Sequence, residues 1–183
     1  MWETRDLTCV ILIAVISFIY TLVIGQLGNL VTGIAGFNYL FAIGHMFFIS
    51  FGFLMYKGKR WRLFLQCSLV ALLTLTTYLS GVPFDLLSKI PILLTAFIAD
   101  LGFNSIYQFF TKRNRLKWLS LLLCFCFLLM LLFFNSLNMY LFYSPQTLSA
   151  YLSVYALLLP VSIIETALGG LLGFEIYKKI RKA

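Results

Sequence analysis

The sequence predicts an all-α membrane protein, with a single domain of six transmembrane helices over residues 1–183. Two observations lead to this fold class. First, 62% of the 183 residues are hydrophobic and only 11% are charged. A soluble domain carries about 25% charged residues, so this chain has too few charges to solvate its surface. Second, the basic residues are concentrated in short clusters that separate long apolar stretches. Most of the surface is therefore predicted to face lipid.

The apolar stretches define six predicted spans. A helix needs about 20 apolar residues to cross a bilayer, and the spans read from the sequence are 7–30, 36–56, 63–80, 90–110, 119–143 and 149–177. The first is predicted to be an uncleaved helix. Its apolar run exceeds the roughly 7–15 residues of a signal peptide, and Glu3 and Asp6 dilute the preceding positive charge. The short connections leave no room for a large extramembrane domain.

The basic residues predict the orientation of these spans. Of the 14 Lys and Arg residues, all but Lys89 lie at Arg5 or in the clusters 57–62, 112–117 and 178–182. Six crossings put all these clusters on one side of the membrane together with both termini. Short Lys/Arg-rich loops mark the cytoplasm. We therefore expect a multi-pass plasma-membrane protein with cytoplasmic N- and C-termini, whose net charge of +8 reflects topology rather than nucleic-acid binding.

Polar residues inside the spans are the candidate binding residues. Ionisable groups at membrane depth are costly and usually face a helix-bundle interior or a wet cavity. By counting, His45, Asp100 and Glu165 lie near mid-span, and Asn104 shares a helical stripe with Asp100. Further polar and aromatic groups lie toward the outer ends of their spans: Asn38, Tyr39, Asn135, Asn138 and Tyr155. The set fits an outward-facing pocket, although each residue could instead be structural, and the outer tyrosines could form an interfacial aromatic belt.

Other motifs predict packing rather than chemistry. Cys9, Cys67, Cys124 and Cys126 match no zinc or redox spacing, and the chain has no Gly-rich phosphate loop. No metal, cofactor or catalytic residue is therefore predicted, and the chain is not expected to be an enzyme. Gly169 and Gly173 form a G-x-x-x-G that permits close helix approach, for which packing within the chain is preferred over a partner interface.

Two segments of the sequence carry a resemblance to a known family. They are residues 94–100 (LTAFIAD), which run into Lys112 and Arg113, and residues 164–173 (IETALGGLLG), which are followed by Lys178 and Lys179. With its size and six spans, the chain resembles the S components, the substrate-capture subunits of energy-coupling factor (ECF) vitamin transporters. Members of that family often dock their membrane partner through Ala-x-x-x-Ala in the first helix. Here Ala14 is followed four residues later by Phe18.

The resemblance implies a function and a set of partners. The chain would bind a vitamin or vitamin precursor from outside and deliver it inward together with a transmembrane coupling subunit and two ATPase subunits. Membrane lipids are the other expected contacts. Buried carboxyl groups without a buried base favour a cationic or amine ligand, such as a thiamine-like compound or its pyrimidine precursor. Two alternatives remain: a structural membrane protein resembling the cell-shape subunit MreD, and a small intramembrane enzyme using His45 with Asp100 or Glu165.

Overall fold

The computed structural model describes residues 3–32, 42–77 and 84–182, and it contains no strand among them. The side chains of residues 25, 26 and 28–32 are outside this description. The α-helices are α1 (Thr4–Thr32), α2 (Ala42–Met55), α3 (Arg62–Thr74), α4 (Ile90–Lys112), α5 (Leu116–Phe142) and α6 (Pro145–Lys182). A 3-10 turn, Leu87–Lys89, precedes α4. The predicted all-α class is confirmed for these residues.

Within the described residues, four helical segments are long and apolar enough to cross a membrane. They are Thr4–Ile24, Leu87–Lys112, Leu116–Phe142 and Pro145–Lys182. They coincide with the first, fourth, fifth and sixth predicted spans. Helices α2 and α3 are apolar but shorter, with 14 and 13 residues. At 1.5 Å per residue the described part of each is about 20 Å long, against about 30 Å for the hydrocarbon core of a bilayer.

Helix α3 ends earlier than the sequence predicts. The third span was expected to reach residue 80, but the helix ends at Thr74. The cause lies in a run of threonines, whose hydroxyl groups donate to carbonyl oxygens three residues back, as Thr74 does to Ala71 and Thr76 to Leu73. Such local bonds compete with the helical ladder. The backbone then turns, and the N–H of Phe84 donates to the carbonyl of Leu75 at 2.7 Å.

Each helix contacts two neighbours in the order α1, α2, α6, α5, α4, α3 and back to α1, and α2 also contacts α3 and α5. Gly169 and Gly173 face α2, where an added Cβ at Gly173 would lie 2.7 Å from the hydroxyl of Ser50. Ser50 of α2 and Ser120 of α5 both donate to the carbonyl of Gly170 on α6, at 3.2 and 2.8 Å. The G-x-x-x-G motif therefore packs within the chain, as predicted.

An ion cluster connects the start of α1 to the turn between α2 and α3. The Asp6 carboxylate lies 2.9 Å from both Lys59 Nζ and Arg62 Nη2, and Glu3 lies 3.3 Å from Lys59. The two acids that precede the first span thus meet the first basic cluster. Asp6 holds together two segments that are more than fifty residues apart in the chain.

Candidate functional site

Glu165 of α6 lies at the first residue of α2. Its Oε2 accepts a hydrogen bond of 2.8 Å from the backbone N–H of Ala42. The first N–H groups of a helix have no partner within the helix, and a carboxylate there also meets the positive end of the helix dipole. A carboxylate offers about four acceptor positions, so this bond leaves acceptor capacity for a ligand. No Lys or Arg side chain forms an ion pair with Glu165 within the described ranges.

Two aromatic residues meet at the first turn of α2. Tyr20 of α1 meets His45 of α2 edge to face, with ring centroids 5.4 Å apart, and also packs against Phe48. Close approach of the tyrosine depends on Gly44, because a Cβ at that position would overlap the Tyr20 ring. Glu165, His45 and Tyr20 therefore bring three helices together at the start of α2. We call these three residues the α2 start site.

Sequence reasoning missed Tyr20. The signal that could have revealed it is a polar stripe within the first span, in which Ser17, Tyr20 and Thr21 recur at helical spacing. Ser17 and Thr21 are buried in the structure. The Thr21 hydroxyl donates to the Ser17 carbonyl at 2.8 Å, so the polar group of Thr21 has its hydrogen-bond partner within α1.

Asp100 lies at the start of α3, as Glu165 lies at the start of α2. This α4 carboxylate is 1% exposed and accepts hydrogen bonds from the backbone N–H groups of Trp61 and, at 3.0 Å, Leu63. Trp61 is the N-cap residue of α3, has a left-handed φ of 71°, and supplies no side-chain cap of its own. Asp100 thus caps α3 from a neighbouring helix. Asn104 is buried one turn further along α4.

The two carboxylates lie at opposite ends of α2. Glu165 meets its first residue, Ala42, whereas Asp100 meets Trp61, which follows the turn after its last residue, Met55. The length of α2 separates these points by about 20 Å. Asp100 therefore does not join His45 and Glu165 in one site. An acid–base pair of Asp100 with His45, as the enzyme alternative supposes, has no support in this arrangement.

The remaining candidate binding residues are those predicted toward the outer ends of their spans. Tyr155 precedes Glu165 on α6 by ten residues, or about 15 Å along the helix. Asn135 and Asn138 lie in the last two turns of α5. Asn138 is 6% exposed, and its Oδ1 has no hydrogen-bond partner among the described residues. Asn38 and Tyr39, also predicted here, lie outside the described residues. Lys89, in the 3-10 turn just before α4, is largely buried despite its charge.

Within the described part of the chain, no group of three or more His, Cys, Asp and Glu side chains could hold a metal ion. Comparison with protein-family models, curated proteins and solved structures found no match.

Proposed function

We propose that this chain captures a small cationic or amine-bearing ligand, of vitamin or vitamin-precursor type, from the outer side of the plasma membrane. The observation that carries the proposal is the α2 start site. There a carboxylate without a basic ion-pair partner in the described residues lies within a segment able to cross the membrane. It contacts the first residue of α2, in the same turn where Tyr20 meets His45. A carboxylate at membrane depth is costly unless it meets a compensating group. A ligand cation would supply that group.

The membrane topology in this proposal has six crossings and cytoplasmic termini. Support comes from contacts that join the predicted cytoplasmic segments to one another. Asp6 binds Lys59 in the turn after α2 and Arg62 at the start of α3, and Tyr107 near the end of α4 packs against Gly58 in that turn. The predicted outer segments also meet, since Tyr143 after α5 donates to Asp85 before α4 at 2.9 Å.

The ligand chemistry follows from the side chains at and beyond the α2 start site. Glu165 offers negative charge, and the rings of Tyr20 and His45 offer faces or edges to a heterocycle. Farther out, the buried amide of Asn138 and the Tyr155 ring add polar and aromatic groups. Thiamine combines a fixed positive charge with flat rings that these groups would recognise. Its pyrimidine precursor offers a flat ring with an amino group that can donate to Glu165.

Delivery into the cell requires partners in this proposal. The sequence contains no Gly-rich phosphate loop, so ATP hydrolysis is assigned to two separate ATPase subunits working through a transmembrane coupling subunit. Ala14, the position that corresponds to the family's docking motif, is fully buried within the structure. The coupling subunit is therefore expected to dock on other residues.

The test compares two carboxylates that both accept hydrogen bonds from a helix start. Glu165→Gln and Asp100→Asn each remove one possible charge with little change of shape. With thiamine as the probe, Glu165→Gln should weaken binding by about 1.5–3 kcal/mol, the scale of a hydrogen bond to a charged group. Asp100→Asn should lower the melting temperature while leaving thiamine affinity unchanged in the folded fraction. Isothermal titration calorimetry and thermal unfolding of the purified protein measure the two effects.

Native mass spectrometry of gently purified protein provides the wider search for a ligand. A co-purifying small molecule that is lost in Glu165→Gln supports capture by this site. If no small molecule is retained and Glu165→Gln only lowers the melting temperature, Glu165 is a structural cap. The structural alternative of MreD type then replaces this proposal. ATP hydrolysis by the pure chain would contradict the assigned division of labour.

A further inference from the structure

A cavity of about 320 Å³ lies between the last turns of α6 and the connection from α4 to α5. Its polar lining consists of Asn114 with three basic residues of α6, Lys178, Arg181 and Lys182. Its apolar lining is Phe174, Tyr177 and Leu116. The volume matches the lower end of small-molecule sites, about 300 Å³. One wall is thus strongly positive and the other is apolar.

The charge of the cavity is not neutralised by acids in its lining. None of the lining residues is Asp or Glu, and the described ion pairs involve Glu3 and Asp6, which pair with Lys59 and Arg62 instead. Leu116 is moreover the first residue of α5, whose first turn has no side-chain cap. The positive end of the helix dipole adds to the field of the three bases. The fitting ligand is therefore an anion.

The position of the cavity narrows the choice of anion. It lies where α4, α5 and α6, all long enough to cross a membrane, end or begin. Trp118 in the first turn of α5 is 63% exposed, and exposed tryptophans typically mark the interface between lipid and water. Arg181 can bind a phosphate through two parallel hydrogen bonds. The apolar wall of Phe174 and Leu116 lies beside these bases and suits the glycerol backbone or upper acyl chain of a lipid.

We propose that this cavity binds the phosphate headgroup of an anionic phospholipid in the cytoplasmic leaflet. Lys178, Arg181 and Lys182 contact the phosphate, Asn114 donates to it, and Phe174 with Leu116 contacts the adjoining apolar part of the lipid. The proposal concerns a site at the far end of α6 from the ligand-capture site. The choice of the cytoplasmic leaflet rests on the proposed topology, whereas lipid binding by the cavity stands or falls independently of the proposed transport function.

The test measures phospholipid binding to the full chain in detergent by native mass spectrometry, with phosphatidylglycerol as anionic probe and phosphatidylcholine as zwitterionic probe. Arg181→Gln with Lys182→Gln removes two charges from the cavity. Lys57→Gln with Arg60→Gln is the matched control, because it removes two exposed charges from the turn between α2 and α3. The cavity variant should weaken phosphatidylglycerol binding about tenfold or more. The control should weaken it less than about twofold, and phosphatidylcholine binding should change in neither.

Three results would overturn the proposal. Equal losses in the cavity variant and the control would mean that the lipid senses total charge and not this site. Binding of inorganic phosphate or glycerol phosphate as tightly as phosphatidylglycerol would identify a soluble phosphate compound as the ligand. Unchanged lipid binding in a cavity variant that instead loses a co-purifying protein would assign the face to a protein partner. Circular dichroism of each variant checks that it is folded.

Discussion

Asp100 and Glu165 are the same kind of residue in the same kind of position. Each carboxylate lies in a long helix and accepts hydrogen bonds from the first N–H groups of a shorter neighbour, α3 for Asp100 and α2 for Glu165. An ionised carboxylate is an acceptor with no donor of its own, so it is well matched to a row of unpaired N–H groups. Helix capping therefore explains where both carboxylates are held, and ligand charge remains the specific claim for Glu165.

The residues of the ion cluster should contribute unequally to stability. The side chain of Arg62 is 7% exposed where it meets Asp6, whereas that of Lys59 is 36% exposed. Breaking a buried ion pair leaves an uncompensated charge, which costs about 3–5 kcal/mol. Exposed pairs contribute little. Arg62→Gln should therefore lower the melting temperature of the purified protein far more than Lys59→Gln. Equal effects of the two substitutions would show that Asp6 is effectively solvated.

The Lys59 contribution has a defined pH dependence. The pKa of Lys59 is raised from its ordinary value of 10.5, chiefly because its ammonium group donates a hydrogen bond to Asp6. A raised pKa in the folded state stabilises the fold fully below the unfolded value, and this contribution is lost as pH rises through the folded value. Between pH 7 and 9, the difference in melting temperature between wild type and Lys59→Gln should thus stay constant. It should shrink only above about pH 10.5.

Helix α6 provides a test of close packing at the scale of elements. A Cβ added at Gly169 would overlap the backbone carbonyl of Ile43 and lie 3.0 Å from Met46 Cβ, whereas a Cβ at Gly102 of α4 would meet nothing within 4 Å. Overpacking costs about 1–3 kcal/mol. Replacing an unconstrained helical glycine by alanine stabilises by roughly 0.5–1 kcal/mol. Gly169→Ala should lower the melting temperature and Gly102→Ala should hold or raise it. An unaffected Gly169→Ala protein would mean that α2 and α6 can separate without loss.

The elements that the sequence predicted well are those defined by local properties. Long apolar runs between basic clusters identified α1, α4, α5 and α6, because hydropathy and length depend only on neighbouring residues. The end of α3 was missed because the apolar run continues to Leu79, while the hydroxyl groups of Thr74, Thr76 and Thr77 redirect their hydrogen bonds to nearby carbonyls. Hydropathy does not register that competition. The start of α6 at Pro145, within a predicted loop, follows from Ser144, whose hydroxyl accepts from the N–H of Thr147 at 3.2 Å.

The predicted site was less accessible to sequence reasoning, since it depends on contacts between distant segments. Counting put Asp100 near the middle of its span, and the structure has it beside the turn after α2. The reason is that Trp61 and Leu63, more than thirty residues earlier, bring their N–H groups to it. Equally, the contact of Tyr20 with His45 joins α1 to α2. Polarity selected Glu165, His45 and Asp100 alike as candidate binding residues. No sequence pattern indicated that Glu165 contacts the start of α2 whereas Asp100 contacts the start of α3.

The topology of the whole molecule can be tested by cysteine labelling in a cysteine-free background. Two substitutions lie at exposed positions of the predicted outer segments, Leu86→Cys and Gln146→Cys. Two others lie at exposed positions of the predicted cytoplasmic segments, Arg60→Cys and Arg113→Cys. An impermeant thiol reagent added to intact cells should label the first pair. It should label the second pair only after the membrane is permeabilised. Labelling of Arg113→Cys in intact cells would contradict six crossings with cytoplasmic termini.

The capping of α2 and α3 by other helices has a consequence for how the chain is made. A ribosome completes α2 more than a hundred residues before it reaches Glu165, and completes α3 well before Asp100. During synthesis, the first N–H groups of both short helices thus await acceptors that have not yet been translated. In the proposed six-crossing topology the start of α2 lies at the depth of Glu165, where unsatisfied N–H groups carry a considerable cost. If the proposed six-crossing topology holds, α2 should therefore reach its final place in the membrane only after α6 has been made. Nascent chains arrested before residue 165 should leave α2 accessible to protease, while chains arrested after α6 has emerged should protect it.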